Sequence, residues 1–443
     1  MAAKPILPFA LRGLLTMALL GSSLAAQAFP KVEHWVTELG TRVYYVPRHD
    51  LPMIDVLVAV DAGESRSPAG KEGMATLVAA SILDKELQDN ERTPPYQQIA
   101  NSGNQISMGA GRDRATFSLR VASRTGNALA VIDILSEQLG EANFPNWMLR
   151  YRRDWLIPQL PQSAAKANAT ARLGQELFGN HPYSRSDRRD ADSADRPGSF
   201  SMRSFHREYY RPGNISLTLV GDLSREEAEK IANQLTRRLP RGEPAAALPE
   251  FQPAERTNST ITVERAGSQS QILLGIPLAL RSTDPDYAAL VLGNYILGGG
   301  GQRSRLMREL RLKDGLTYGV YSSLSMLRQG GSITISAKTR NDQREQFVQR
   351  LNQVLDDFAR NGPTAEEFAE SRKHLLLDMA QWGDTNAELL ELVGELAYKD
   401  LPLDFYDRLK QQIAALDASQ VQAAWNRQVR PATQLTVIQG PKD

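Results

Sequence analysis

The chain of 443 residues has no cysteine and only five histidines. Without thiols there is no disulfide framework, no cysteine nucleophile and no cysteine-built zinc site. The histidines are His34, His49, His181, His206 and His374, and no two lie close enough in sequence to form a local metal-binding pair. Charge of one sign is also lacking. The chain carries 52 basic and 51 acidic residues, a net +1, which leaves no electrostatic footprint for nucleic acid. A Gly-x-Ser-x-Gly nucleophile elbow is absent. The glycine run Gly298–Gly301 is not followed by the Gly-Lys-Ser/Thr of a phosphate loop.

Long apolar runs are scarce as well. One run, Gly13 to Leu24, falls short of the roughly 20 residues that span a bilayer. It follows Lys4 and Arg12 and precedes Ala26-Gln27-Ala28, the small-residue pattern of a secretory cleavage site. Residues 1–28 therefore read as a signal peptide cut after Ala28. The mature chain is expected in a bacterial periplasm and meets a membrane only if the segment stays uncleaved. Hydrophobic and charged fractions of 41% and 23% belong to a globular protein, and the length asks for more than one core.

The mature chain opens on the strand patterns Arg42–Val46 and Ile54–Val60, the second almost continuously apolar, as in a strand covered on both faces. Met74, Leu77, Val78 and Ile82 then recur at helical spacing. Helices are predicted at Tyr96–Ala100, Asn127–Gly140 and Ser163–Phe178, and strands at Gln105–Met108, Arg114–Ala122 and Ile215–Val220. Gly221-Asp222 leads into a helix whose Ser224 and Glu227 form a capping box. Pro240 to Pro253 holds four prolines and reads as a linker. Beyond it the order recurs: strands at Thr260–Val263 and Gln271–Ile276, a helix at Tyr287–Leu297, strands at Tyr318–Ser325 and Ser332–Ala337, a long helix at Arg344–Phe358, and a last strand at Gln434–Ile438. Two copies of one α/β unit account for this. The carboxylate pairs Glu226-Glu227 and Glu366-Glu367 sit in first helical turns, where the macrodipole favours them.

The densest stretch is Gly298 to Tyr321, a glycine run that closes one helix, then a helix with Arg305, Leu306, Leu310 and Arg311, then Gly315 and Tyr318. This stretch, the strand–Gly–Asp–helix ending of the first half, Asn180-His181-Pro182-Tyr183 and Tyr210-Arg211-Pro212-Gly213-Asn214 together resemble the pitrilysin/insulinase family of inverted zinc peptidases over nearly the whole mature chain. The resemblance implies an α/β (α+β) fold of two homologous domains, each a mainly antiparallel sheet covered by helices, arranged as a clam shell. The expected divisions are 29–239, a linker at 240–256, and 257–443.

Active members carry H-x-x-E-H on the first long helix, two histidines for zinc and a glutamate as general base. Here the resemblance sets Thr76 and Ala80 at the histidine positions and Ala79 at the glutamate. No glutamate occurs between Glu141 and Glu176, where the third ligand belongs. No metal and no complete catalytic set is expected in this chain. What the resemblance carries over is a substrate-binding pair, Arg311 and Tyr318, and an edge strand holding Ser107 and Met108. A guanidinium and a phenol can donate to a peptide carbonyl and its oxyanion. In the plainer alternative Arg311 pairs with Asp314 and Tyr318 merely packs. The expectation is a non-catalytic subunit of a heterodimeric zinc metallopeptidase, inactive alone, whose H-x-x-E-H partner holds the zinc and whose substrate is a peptide or unfolded protein. The alternatives are a catalytically dead peptide-binding scaffold, or a peptidase with an unrecognised zinc site.

Overall fold

The structure, a computed structural model, describes residues 29–83, 95–123, 127–145, 157–161, 168–255 and 260–441. The proposed signal segment and part of the helix expected from Ser163 lie outside these. Among the described residues no helix is long and apolar enough to cross a membrane.

Two sheets organise the chain. The first takes β1 (Glu33–Val36), β2 (Arg42–Pro47), β3 (Met53–Val60), β4 (Gln105–Ala110), β5 (Ala115–Ala122) and β6 (Ile215–Gly221) in the order β1-β2-β6-β3-β5-β4. The second takes β7 (Thr260–Glu264), β8 (Gln269–Leu278), β9 (Val320–Leu327), β10 (Gly330–Arg340) and β11 (Leu435–Gly440) in the order β7-β11-β8-β10-β9. Setting β1 aside, the orders are identical. In each sheet the first and last strands pair in parallel, with Val43 opposite Leu217 and Val437 opposite Ile261. The other pairings are antiparallel. The repeat read from the order of elements is thus a repeat of topology.

In the first half, α1 (Met74–Leu83), α2 (Pro95–Asn101), α3 (Ala128–Gly140), α4 (Ala169–Phe178), α5 (Ser199–Tyr209) and α6 (Arg225–Thr236) accompany the sheet. In the second, α7 (Tyr287–Asn294), α8 (Arg344–Asn361), α9 (Ala365–Ala380), α10 (Asn386–Lys399), α11 (Phe405–Ala415) and α12 (Ala418–Gln428) do so. Both capping boxes form, at Ser224/Glu227 and Thr364/Glu367. One face of each sheet packs on its own half's helices: Ile54, Val56, Val58, Leu217 and Leu219 join α1, α3 and α6, and Ile272, Leu274 and Ile276 join α7, α8 and α12.

The opposite faces are covered by exchange. Helix α10 lays Leu389, Val393, Leu396 and Ala397 over Tyr44, Val46, Leu57 and Val220 of the first sheet. Helix α4 lays Leu173 and Leu177 over Leu273, Leu435 and Val437 of the second. Each contact closes on a glycine. A Cβ on Gly394 of α10 would come 2.4 Å from Leu57, and one on Gly275 of β8 would come 2.6 Å from Leu177. Being covered on both faces is why β3 reads as a nearly unbroken apolar run and why every residue of β6, Ser216 and Thr218 included, is buried. The proline-rich stretch between the halves is strapped down: Phe251 is buried against Phe178, and the carbonyls of Glu243, Ala246 and Pro249 meet Arg211, Arg66 and His181.

A polar clasp joins the halves beside this strap. The turn between β9 and β10 donates Arg328 N to Asp113 Oδ2 at 2.9 Å and Gln329 N to Tyr183 Oη at 2.9 Å, while Tyr398 Oη of α10 donates to Asp113 O at 2.8 Å. Burial raises the Asp113 carboxyl above its ordinary value of 3.8, against the opposing donation from Arg328 N.

Two expectations follow from the exchange and the clasp. Leu396→Ala is expected to lower unfolding stability by about 2–5 kcal/mol. Hydrogen exchange should locate the lost protection in β3 and β6, in the other half of the chain, and protection lost in β8 and β10 instead would contradict the exchanged packing. For Asp113, the folded chain holds the proton to higher pH than the unfolded chain does. Stability therefore falls as pH rises from 3.8 through the raised folded value. Asp113→Asn should flatten that slope in denaturant titrations across the acid range and be more stable than the parent at neutral pH.

Candidate functional site

Helix α1 begins without an adjacent capping residue. Its N-terminal donors go instead to Glu64, which is buried ten positions before Met74. Glu64 Oε2 accepts from Gly73 N at 3.0 Å and Ser67 Oγ at 2.8 Å, and Oε1 accepts from Thr76 N at 3.0 Å and from Thr76 Oγ1. Ser67 Oγ in turn accepts from Ala75 N at 3.1 Å. A carboxylate in this place satisfies the helix's orphan donors and complements its dipole. Arg189 closes the cluster from another segment of the same half. Its Nη1 donates to Thr76 Oγ1 at 2.8 Å and lies 3.8 Å from Glu64 Oε1.

Thr76 is where the family resemblance set a zinc-binding histidine. Here it binds a carboxylate on one side and a guanidinium on the other. Ala79 is buried with no polar atom to offer, and Ala80 adds none. These residues do not fit a zinc ion: imidazole and base are missing, and a fixed positive charge contacts the position of the first ligand, where it opposes a dication. Among the described residues no group of three His, Asp or Glu is arranged to hold a metal. Four of the five histidines make contacts within the fold. His206 Nε2 contacts Leu139 O at 2.8 Å, His181 caps the turn at Pro182 and reaches Pro249 O, His49 meets Asp222, and His34 lies 4.5 Å from the Tyr44 ring.

In the second half the glycine run is a close-packing device. A Cβ on Gly298 would come 2.6 Å from Ser322 N of β9, and one on Gly300 would come 2.8 Å from Tyr295 O. Gly301 takes φ +64° and turns the chain into the next segment. That segment, through the π-helical turn Met307–Lys313, is fixed by ionic contacts along one side. Arg305 is buried, paired with Glu367 and donating to Gly362 O at 2.9 Å. Arg350 of α8 holds Glu309 and Asp314, each at 2.7 Å. Asp314, the carboxylate named in the plainer alternative for Arg311, is held by Arg350. Arg311 itself is half-buried and has no ion-pair partner among the described residues. Thr317 Oγ1 donates to Lys338 O at 2.6 Å and pins the loop before β9. Tyr318, placed in this loop and not within the strand, is 81% exposed.

Ser107 and Met108 lie on β4, the strand at the edge of the first sheet, which pairs with β5 alone. Ser107 is exposed, while Met108 turns partly into the core. The structure thus sets the candidate residues in two groups, Ser107 and Met108 with the Thr76 cluster in the first half, and Arg311 with Tyr318 in the second. Glu64 and Arg189 were not singled out from sequence. Glu64 carried no local signal, and Arg189 meets Thr76 across a separation of 113 positions.

Comparison with known proteins agrees with this reading of the centre. A family profile described as "Peptidase M16 inactive domain" matches residues 201–375. A crystal structure described as a peptidase M16 inactive domain, from Pseudomonas fluorescens, aligns with a TM-score of 0.86 at 31% identity, covering 93% of this chain and 98% of that one. The chain belongs to the M16 peptidase family. Along its length it is also 22% identical to a Helicobacter pylori protein named "Non-peptidase homolog YmxG", over 91% of this chain and 92% of that protein. The structure of the Escherichia coli periplasmic protease PqqL aligns with a TM-score of 0.73 at 15% identity, covering 98% of this chain but 51% of that one. This chain is an inactive M16-like protein, and M16 is the pitrilysin/insulinase family of the sequence reading.

The ionic character of the emptied M16 centre can be tested. Restoring the motif as Thr76→His, Ala79→Glu and Ala80→His is expected to give no zinc by elemental analysis while Arg189 is present. Arg189→Ala alone should cost about 1–3 kcal/mol of stability in denaturant melts, the effect of depriving a buried charged acceptor of a partner. Stoichiometric zinc in the triple variant would refute the assignment.

Proposed function

We propose that this chain is the non-catalytic subunit of a heterodimeric zinc metallopeptidase, completing the substrate chamber of an H-x-x-E-H partner that carries the zinc. The observation that carries this reading is selective loss. The metal-binding positions have become Thr76, Ala79 and Ala80, yet Arg311 and Tyr318 stand seven apart, one without an ion-pair partner and the other exposed. A copy drifting without function has no reason to keep the second set and discard the first.

In this role the partner's zinc polarises the scissile carbonyl. The Arg311 guanidinium and the Tyr318 hydroxyl approach the same carbonyl from this subunit and donate to the oxygen as negative charge grows on it. Arg305, Arg350 and Thr317 keep the two donors in place. The open edge of β4, at Ser107 and Met108, offers backbone groups to an extended peptide or unfolded segment, a mode in which side-chain identity matters little. An N-terminal signal removed after Ala28 would deliver the subunit to the periplasm. PqqL, about twice as long as the part matched here, is a precedent for an M16-like unit built into a larger protein.

The decisive experiment measures zinc and peptidase activity of the mature chain alone and mixed with a candidate H-x-x-E-H chain. The expected result is neither zinc nor activity alone and activity on mixing. Arg311→Ala should then lower kcat by about 10²–10³-fold, the usual effect of removing one oxyanion donor, and Tyr318→Phe should lower it in the same direction. Full activity of the mixture with both substitutions would leave this chain a scaffold. Zinc-dependent activity of the chain alone would overturn the reading.

A further inference from the structure

Beside the clasp between the halves lies an open cavity of about 400 Å³ that no M16 feature described above uses. Its walls come from five places: the start of the first half's loop after β3, the proline-rich strap, the segment after β8, the β9–β10 turn, and the end of α10. The charged lining is unequal, with Arg66, Arg281, Arg328 and Lys399 against Asp61 and Asp400.

The existing partners do not use all of this positive charge. Asp61 is taken by Arg66 through two contacts of 2.9 and 2.8 Å, and Arg66 also reaches Ala246 O. Asp400 points to Arg42 at 3.2 Å. Lys399 donates to Met326 O at 2.6 Å and pairs with Glu395, and Arg281 holds Glu250 and Gln329. Arg328 is left with one contact of 3.4 Å to an Asp61 oxygen already engaged by Arg66. Its guanidinium lies 5.5 Å from the centre of the Tyr398 ring, so the aromatic face supports the plane and leaves the donor fork for an acceptor. Asp113 backs the same turn but accepts from the Arg328 backbone and does not line the cavity. Leu248, Leu327 and Leu401 supply an apolar wall beside the cations. Asp400 takes φ +57°, the one non-glycine positive φ among the described residues, where α10 ends at the cavity.

We propose that this cavity binds a small carboxylate with an apolar body, the carboxylate on Arg328 and the body against the three leucines. The C-terminal residue of a short peptide has this chemistry, as does a free aliphatic acid. The site lies in the chain itself and requires no partner subunit.

Isothermal titration of the mature chain at low salt tests it with three probes: Ala-Ala-Leu as the free acid, the same tripeptide as the C-terminal amide, and hexanoate. The free acid is expected to bind and the amide to fail. Arg328→Gln, which keeps the backbone N–H on Asp113, should weaken the acid about tenfold or more, as for loss of a charge-assisted hydrogen bond. Thr283→Trp, at an exposed lining position, should block binding without touching the charges. Hexanoate binding as well as the tripeptide would assign the site to organic acids, and hexanoate binding much more weakly would assign it to peptide ends. Equal binding of acid and amide, no binding of either acid, or an unchanged affinity in Arg328→Gln would overturn the proposal.

Discussion

Everything in this molecule leans on the exchange of two helices between the halves. A sheet with one face on its own helices still has an apolar second face, and neither half covers that face from its neighbouring sequence. Helix α10 is supplied by the second half to the first sheet and α4 by the first half to the second sheet. Exposing either surface to water would cost about 25 cal/mol for each Å² of apolar area, so the halves are stable as a pair and not as independent beads. The glycines at the two contacts, Gly394 and Gly275, set how closely helix and sheet approach. The clasp at Asp113 and Tyr183 and the strapped linker then follow, because the exchange has already fixed which surfaces face one another.

The same economy of structure explains how the M16 centre can lose its metal without loosening the fold. Helix α1 does not need an ion to hold its N-terminus, since the Glu64 carboxylate with Ser67 accepts the helix's free donors. A buried carboxylate in that place asks for a cation nearby, and Arg189 provides one through Thr76. Thr76, which the resemblance aligned with a zinc-binding histidine, bridges the two charges. The cluster at the start of α1 is a built state with its own hydrogen bonds.

Much of the fold was legible in the sequence because it is written in local periodicity. The strands at Ile54–Val60 and Ile215–Val220, the helices after Gly73 and Ser224, and the recurrence of their order beyond Pro253 follow from residue spacing and capping. The strand order did not follow from spacing, and the structure shows it to repeat between the halves. The candidate pair Arg311 and Tyr318 came from the family resemblance, and its surroundings were not legible. Asp314, three positions from Arg311, was a partner named only in the plainer alternative, and Arg350 takes it. Glu367 read as a capping residue and is also the buried counter-ion of Arg305. Arg189 and Asp113 gave no signal at all. Their roles depend on segments brought together across long stretches of chain, which neither periodicity nor spacing records.

The repeat also exposes where the two halves diverge. By topology β4 and β9 are the same strand, each at the edge of its sheet beyond β5 or β10. An unpaired edge is a template for another strand, so two equivalent edges would offer two docking places. Among the described residues the two edges differ. On β9 the Val320 N–H meets Met307 Sδ at 3.3 Å, Ser322 Oγ donates to Asn294 O, and the Gly298 backbone comes so close to Ser322 N that no Cβ would fit. No comparable backbone contact holds the outer edge of β4 among the described residues. The glycine run that dominates the sequence is therefore what blunts the second edge. The segment bearing Arg311 and Tyr318 follows the run and is held by the Arg305, Arg350 and Thr317 contacts. The two copies of one fold thus differ at equivalent edges, a strand paired on one side alone in the first and a strand backed by the glycine run in the second.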